Sequence, residues 1–246
     1  RPGWHIECSS IIKTYLGETI DIHLGGNDLI FPHHENEIAQ SNCAHDGKSL
    51  SKYWIHNGFI SMNKEKMSKS VGNIILVNDI LKNYTGEAIR LAMLTTHYKQ
   101  PLNWNENILI QANKNLENFY DVIGDKKNFE SIEPPKKFFD ALLNDLNTPE
   151  ALKELYELSK NKNTKDQLKS AANYLGILQL TKTEWINQRK KIKNLDQKKI
   201  EKLIADRNKA RKEKIFIEAD KIRDKLALDN IILEDSPSGT KWRINN

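Results

Sequence analysis

A chain of 246 residues, 38% of them hydrophobic, is long enough to bury a sizeable core, in two or three domains. Two cysteines in this length exclude a disulfide framework and point to a reducing compartment, where a buried or metal-bound thiolate survives. A formal net charge of +5, no signal peptide and no apolar run approaching a membrane span point to a soluble, cytoplasmic protein with no membrane partner.

Histidine and charge are unevenly spread. His5, His23, His33, His34, His45 and His56 precede residue 60, and of the seven histidines His97 alone follows. Residues 188–225 carry 15 Lys and Arg against 7 Asp and Glu, net +8, which leaves −3 for the remainder. Chemistry at one end and a polyanion held at the other would produce this separation.

In chain order, Trp4 to Leu16 carries apolar residues at helical spacing, with Gly17 placed to stop the helix. Thr19 to Gly25 alternates as a strand, and Asp21 to Glu37 as a whole reads as strand, glycine turn, then a helix from about His34 to His45. Asp46-Gly47 makes a turn, and Tyr53 to Ile60 is aromatic and β-branched enough for a second strand. This alternation predicts a parallel sheet. His33 and Glu37 stand four apart, so on a helix an imidazole nitrogen and a carboxylate oxygen project from one face. Cys8, on the first helix, would add a thiolate, and a sulfur, nitrogen and oxygen set suits zinc rather than calcium or magnesium. An H-x-x-x-E pair is also the pattern of a plain surface contact, and spacing leaves both readings standing.

Lys66-Met67-Ser68-Lys69-Ser70, followed by Val71-Gly72-Asn73, sets two ammonium groups three residues apart with hydroxyls between them. Such a loop either closes over phosphates or is simply a solvated polar loop. Helices are then predicted over Asp79 to Tyr84, Glu87 to Thr96 behind a Thr85-Gly86 cap, and Asn107 to Ile123. Pro134-Pro135 breaks the chain, Thr148-Pro149 forms an N-cap with a first-turn proline, and Thr164 to Gln167 has the form of a capping box. Short links between these segments argue for an antiparallel bundle whose leucine and isoleucine stripes are core. Ile200 to Lys214 and Ala219 to Leu226 continue as helices, and Ile231 to Asp235 with Thr240 to Arg243 close a hairpin. Arg207, Lys209, Arg211, Lys212 and Lys214 crowd one stretch, either as a solvated face or as contacts to the phosphates of a single-stranded nucleic-acid loop.

Three separated motifs carry a family resemblance. Lys66 to Ser70 resembles the phosphate-loop signature of class I aminoacyl-tRNA synthetases. Gly3-Trp4-His5-Ile6-Glu7-Cys8 together with Phe31-Pro32-His33-His34-Glu35-Asn36-Glu37 resembles the cysteinyl-tRNA synthetases in particular, and Gly239-Thr240-Lys241-Trp242-Arg243 is similar to the terminal domain of that family. The resemblance implies an α/β fold followed by mostly α structure. Its parts would be the second half of a Rossmann-like nucleotide-binding fold with the zinc site and lysine loop (1–75), a connecting segment (76–104), an antiparallel helical bundle on the anticodon stem (105–190), and a small α+β domain reading the anticodon (191–246).

The same resemblance assigns roles. Cys8, His33 and Glu37 correspond to three of four ligands of one zinc ion; the fourth, a cysteine nearer the amino terminus, and the early H-x-G-H signature lie outside this sequence. The chain opens on Arg1, and the resemblance makes it a fragment lacking the amino-terminal part and inactive alone. Lys66 and Lys69 would act on the phosphates, Lys69 with Gly26 and Asp28 would bind ATP, and Trp4, His5 and His23 would line the amino-acid pocket. The implied reaction joins L-cysteine to its tRNA through an adenylate, with ATP as substrate, magnesium accompanying it, and a monomeric enzyme. Two other readings share these motifs: a cysteine ligase of the same lineage acting on an amino sugar, and a non-catalytic, zinc-stabilised RNA-binding module.

Overall fold

The computed structural model describes residues 3–62, 65–67, 72, 74–130, 132–192, 197–213, 215–228, 231–236 and 239–244. The chain begins with α1 (His5–Leu16), β1 (Ile20–Gly26), a 3-10 turn (Asn27–Leu29) and a π-helical turn (Ile30–His34) that runs into α2 (Glu35–Ala44). Next come β2 (Ser51–Asn57), β3 (Ile60–Met62), β4 (Glu65–Lys66), α3 (Val77–Ile80), α4 (Gly86–Leu94), β5 (Leu102–Trp104), α5 (Glu106–Ile123), α6 (Lys136–Leu143) and α7 (Thr148–Ser159). The remainder is α8 (Lys165–Tyr174), α9 (Lys182–Ile192), α10 (Gln197–Lys212), α11 (Phe216–Leu228), β6 (Ile231–Ser236) and β7 (Gly239–Ile244). Among the described residues no helix is long and apolar enough to cross a membrane.

The chain divides into two compact units. The first comprises Arg1–Ile74, Met93–Asn105 and Asp140–Leu152. Here β1 and β2 pair in parallel, with Ile22 opposite Tyr53, His23 opposite Trp54 and Gly25 opposite His56. Side chains alternate across a strand, so one face carries Ile22, Leu24, Tyr53 and Ile55, and the other carries His23, Trp54 and His56. Helix α1 stops at Gly17, whose φ of 101° and N–H bond to the Ile12 carbonyl (3.1 Å) close the last turn in a conformation that favours glycine. The Ser9 hydroxyl donates to Gln40 Oε1 at 2.8 Å and ties α1 to α2.

The single strand expected over Tyr53 to Ile60 is two strands in two sheets: β2 pairs with β1, while β3 lies between β4 and β5. Gly58 is the reason. Its N–H bonds the Tyr98 carbonyl at 2.7 Å, and a Cβ there would lie 2.4 Å from the Gln100 carbonyl oxygen. Backbone passes against backbone at that point, the close approach that lets the chain change sheets. The cap expected at Thr148 is also displaced by one residue: Asn147 Oδ1 accepts from the Glu150 N–H (3.1 Å), while the Thr148 hydroxyl donates to the Leu94 carbonyl (2.9 Å).

The second unit comprises Ile75–Ala92, Glu106–Phe139 and Lys153–Asn246. The helical spacing of α5 buries Leu109, Ala112, Leu116, Phe119, Tyr120 and Ile123 on one face, against α8 and α9. Tyr120 stacks on Trp185 (centroids 4.8 Å apart) and its hydroxyl donates to Glu87 Oε2 at 2.7 Å, and burial followed by the Glu87 charge pushes the phenol pKa up. Thr85 caps α4, accepting from the Ala88 N–H at 3.2 Å. The capping box expected at Thr164 does not form, because that hydroxyl turns back to the carbonyls of Leu158 (2.6 Å) and Asn161 (2.7 Å). A reciprocal box forms instead at the head of α9, where the Thr181 N–H donates to Glu184 Oε2 (2.8 Å) and the Glu184 N–H to Thr181 Oγ1 (3.3 Å).

The hairpin β6–β7 closes on α10 and α11 over a small core of Ile200, Ile204, Leu226 and Ile231. Of the cations expected to face phosphates, Arg207 is 6% exposed and gives both guanidinium nitrogens to Asp235, at 3.0 and 2.8 Å. Arg211 adds a third bond to the same carboxylate at 2.7 Å. These two arginines therefore hold the hairpin to α10, which leaves Lys209 and Lys212 exposed on that helix; Lys214 lies outside the described residues. The Arg207 guanidinium holds the Asp235 carboxyl well below the usual carboxylate range, with Thr240 assisting.

A carboxyl that titrates lower when folded contributes stability fully above its unfolded value, about pH 4, and loses it as pH falls through the folded value. The carboxyl-terminal hairpin should therefore loosen in acid. Asp235→Asn should abolish that acid dependence and, at pH 7, cost about 1–3 kcal/mol, less than for a fully buried pair because Asp235 is partly solvated. Urea unfolding at pH 3 and pH 7 checks both effects, and a variant with an unchanged acid profile would contradict them.

Candidate metal centre

The site face of the β1–β2 pair, the amino-terminal turns of α1 and α2, and the π-helical turn between β1 and α2 converge on one carboxylate. Glu37, in the first turn of α2, is 0% exposed. Its Oε1 lies 2.7 Å from His33 Nε2 and its Oε2 lies 3.0 Å from His23 Nε2, yet neither oxygen accepts a hydrogen bond of good geometry. His33 in turn faces His5 through Nδ1 at 2.7 Å, and His34 Nδ1 meets His56 Nε2 at 2.8 Å. Gly25 makes room for the second pair, since a Cβ there would sit 2.5 Å from the His34 ring.

The thiol of Cys8, the imidazole of His33 and the carboxylate of Glu37 place ligand atoms within 4.8 Å of one another. The three residues singled out from spacing thus come together. Burial, followed by the charge and proximity of Glu37, raises the Cys8 pKa, and burial lowers the His34 pKa. A buried carboxylate without aligned donors is costly unless a cation meets it, and sulfur, nitrogen and oxygen converging on one point are donors that zinc accepts together. The residues present therefore fit a zinc ion, held by Cys8, His33 and Glu37; hard oxygen-seeking cations do not match a thiolate and an imidazole.

The other expected residues fall around this centre. Trp4, 58% exposed, stacks on His5 (4.4 Å, 29°) and over His33 (5.2 Å, 24°), so it forms an open wall beside the donor set. His23 faces Oε2 of Glu37 at 3.0 Å and packs edge-on against Trp54 at 4.6 Å. Gly26 ends β1, and the Asp28 carboxylate lies over it, where a Cβ would be 2.5 Å from Asp28 Oδ1. The backbone of Lys66 pairs with Ser61 in the β3–β4 ladder. Lys69, with Ser68 and Ser70, lies outside the described residues. Trp54, His34 and His56 were not singled out from sequence, although alternation along β2 puts Trp54 and His56 on the same face as His23.

Two family profiles match the chain: "tRNA synthetases class I (C) catalytic domain" over residues 1–114, and "DALR domain" over residues 137–179. The cysteine–tRNA ligase of Parvibaculum lavamentivorans is 48% identical over 259 residues, covering 99% of this chain and 55% of that protein. Those of Maricaulis maris and Pelagibacter ubique are each 44% identical, covering 99% of this chain and 55% and 54% of the respective relative. Nearly the whole chain is thus similar to cysteine–tRNA ligases. It spans about half the length of the curated relatives it matches. The profile for the catalytic domain covers every residue of the metal centre, and the DALR profile runs from the second residue of α6 through α8.

The two cysteines have different surroundings: Cys43 is exposed, whereas Cys8 is partly buried and its thiol pKa is raised. In metal-stripped protein at pH 7, iodoacetamide should modify Cys43 well before Cys8, because the thiolate is the reactive form. Peptide mass spectrometry over a time course checks the order, and equal rates would contradict this environment for Cys8.

Proposed function

We propose that this chain is the part of a cysteine–tRNA ligase that selects the amino acid by its sulfur and engages the tRNA. The observation that carries the proposal is the meeting of Cys8, His33 and Glu37 in a buried site of a chain homologous to cysteine–tRNA ligases along 99% of its length. Bound there, zinc would supply a soft Lewis acid that favours a thiolate and gains little from a serine hydroxyl. Recognition by a bond that the competitor cannot make discriminates far beyond the roughly 1–3 kcal/mol available from one methylene, so no editing step is needed for serine.

The chain's own residues do the rest. Glu37 and His33 fix two donor positions, and His5, at the far nitrogen of His33, orients that ring. Trp4 offers an open aromatic wall for the substrate, and His5 and His23 complete the pocket. Gly26 and Asp28 meet the ATP ribose, and Lys66 and Lys69 meet the phosphates, where they stabilise charge as the cysteine carboxylate attacks the α-phosphate and pyrophosphate leaves; magnesium would accompany the nucleotide. Acyl transfer to a terminal tRNA hydroxyl follows. We assign 1–75 to the second half of the nucleotide-binding fold, 76–104 to the connection, 105–190 to a helical bundle on the anticodon stem and 191–246 to anticodon recognition, in a cytoplasmic, monomeric enzyme. The basic carboxyl-terminal region supports tRNA as the acceptor over an amino sugar, which needs no such surface.

Two experiments on the full-length enzyme test this reading. Cys8→Ser should lose stoichiometric zinc and bring the cysteine-to-serine ratio in ATP–pyrophosphate exchange down by at least about 10³-fold; retained zinc with unchanged selectivity would refute the metal assignment. Lys69→Ala should slow exchange by roughly 10²–10³-fold while zinc stays bound, the range seen when a charge-stabilising group is removed. An unchanged rate would remove Lys69 from the phosphate site.

A further inference from the structure

Glu37 has two oxygens, and the donor set described above uses one of them. His33 approaches Oε1, while His23 approaches Oε2. Ligand atoms of His23, His34 and Glu37 also lie within 4.8 Å of one another, in a second convergent group that shares Glu37 with the first. His34 is buried, and its ring is fixed by the bond from Nδ1 to His56 Nε2 and by the space Gly25 leaves. An ionised carboxylate offers about four lone-pair sites, and Oε2, wholly buried and without an aligned donor, is directed into this second group.

We propose that His23, His34 and Glu37 Oε2 form a second metal site, which takes a borderline divalent cation such as zinc or cobalt through two nitrogens and one oxygen. The proposal builds on the reading of Cys8, His33 and Glu37 as the first site, because the two share one carboxylate. Three points make the second site the weaker of the two. It contains no thiolate, its one negative charge is already engaged by the first cation, and a second cation there meets the repulsion of the first. It therefore fills only in metal excess, and filling it takes His23 away from the pocket wall, so surplus zinc would restrain the enzyme.

Sulfur content separates the two sites experimentally. The protein carrying Cys43→Ala is stripped with chelator and titrated with Co²⁺, with stoichiometry read by equilibrium dialysis and ligand type by near-ultraviolet and visible absorption. The first equivalent should bring a sulfur-to-cobalt charge-transfer band, and a second, at least about tenfold weaker, should add ligand-field absorption without further charge transfer. His23→Gln should weaken the second step at least tenfold with the first step and its band retained, and circular dichroism should show the fold intact. Saturation at one equivalent would overturn the proposal, as would a second step insensitive to both His23→Gln and His34→Gln. Loss of the first step in His23→Gln would also overturn it, by showing that His23 only orients the Glu37 ligand. A His23-dependent step without any sulfur band would sustain the second site while refuting the first.

Discussion

A carboxylate removed from water has to be met by positive charge or by well-aligned donors; Glu37 is wholly buried, and the two imidazoles that come within 3.0 Å leave both its oxygens without a well-aligned hydrogen bond. Much of the first unit can be understood as the scaffold of that one group. The π-helical turn delivers His33 one helical turn before Glu37, and α1 brings Cys8 to the same point. The alternation of β1 and β2 supplies His23, Trp54 and His56 from below, and Gly25 leaves space for His34. These residues come from distant parts of the sequence, so the centre exists only once the strand pair and both helices have formed.

Cation binding and folding are coupled in such an arrangement. The Cys8 thiol is held in its protonated form by burial and by the neighbouring carboxylate, so a metal that takes the thiolate displaces a proton and relieves the repulsion between two acidic groups. The proposed selection of a thiol-bearing substrate draws on the same chemistry, because what favours Cys8 as a ligand would favour any second thiol reaching the ion. The basic carboxyl-terminal region rests on a different balance. There Asp235 engages Arg207 and Arg211 to pin the hairpin, while Lys209 and Lys212 of α10 stay exposed.

How much of this could be read from the sequence follows from the range of the interactions. The zinc-type triad was legible because His33 and Glu37 share one local spacing and Cys8 lies in a short motif, and the carboxyl-terminal hairpin was legible from its central turn. Trp54 and His56 were not, since their role depends on the parallel register of β2 against β1, which no local pattern states. The break at Gly58 was hidden by the continuous apolar character of Tyr53 to Ile60; only the approach of residues 98–100 makes that glycine a junction. The Thr164 hydroxyl found nearer carbonyls than the cap expected of it, and the box that does form, between Thr181 and Glu184, was not read from the sequence. Charge counting also overstated the free cations, because Asp235 lies 28 residues from Arg207 in sequence yet beside it in space.

The central claim is that one cation is bound by sulfur, nitrogen and oxygen from Cys8, His33 and Glu37. Zinc K-edge X-ray absorption on the stoichiometrically loaded enzyme tests it most directly. The account predicts a mixed first shell, with sulfur at about 2.3 Å and nitrogen or oxygen at about 2.0–2.2 Å, and loss of sulfur scattering in Cys8→Ser. A shell of nitrogen and oxygen alone, or a spectrum that Cys8→Ser leaves unchanged, would contradict it.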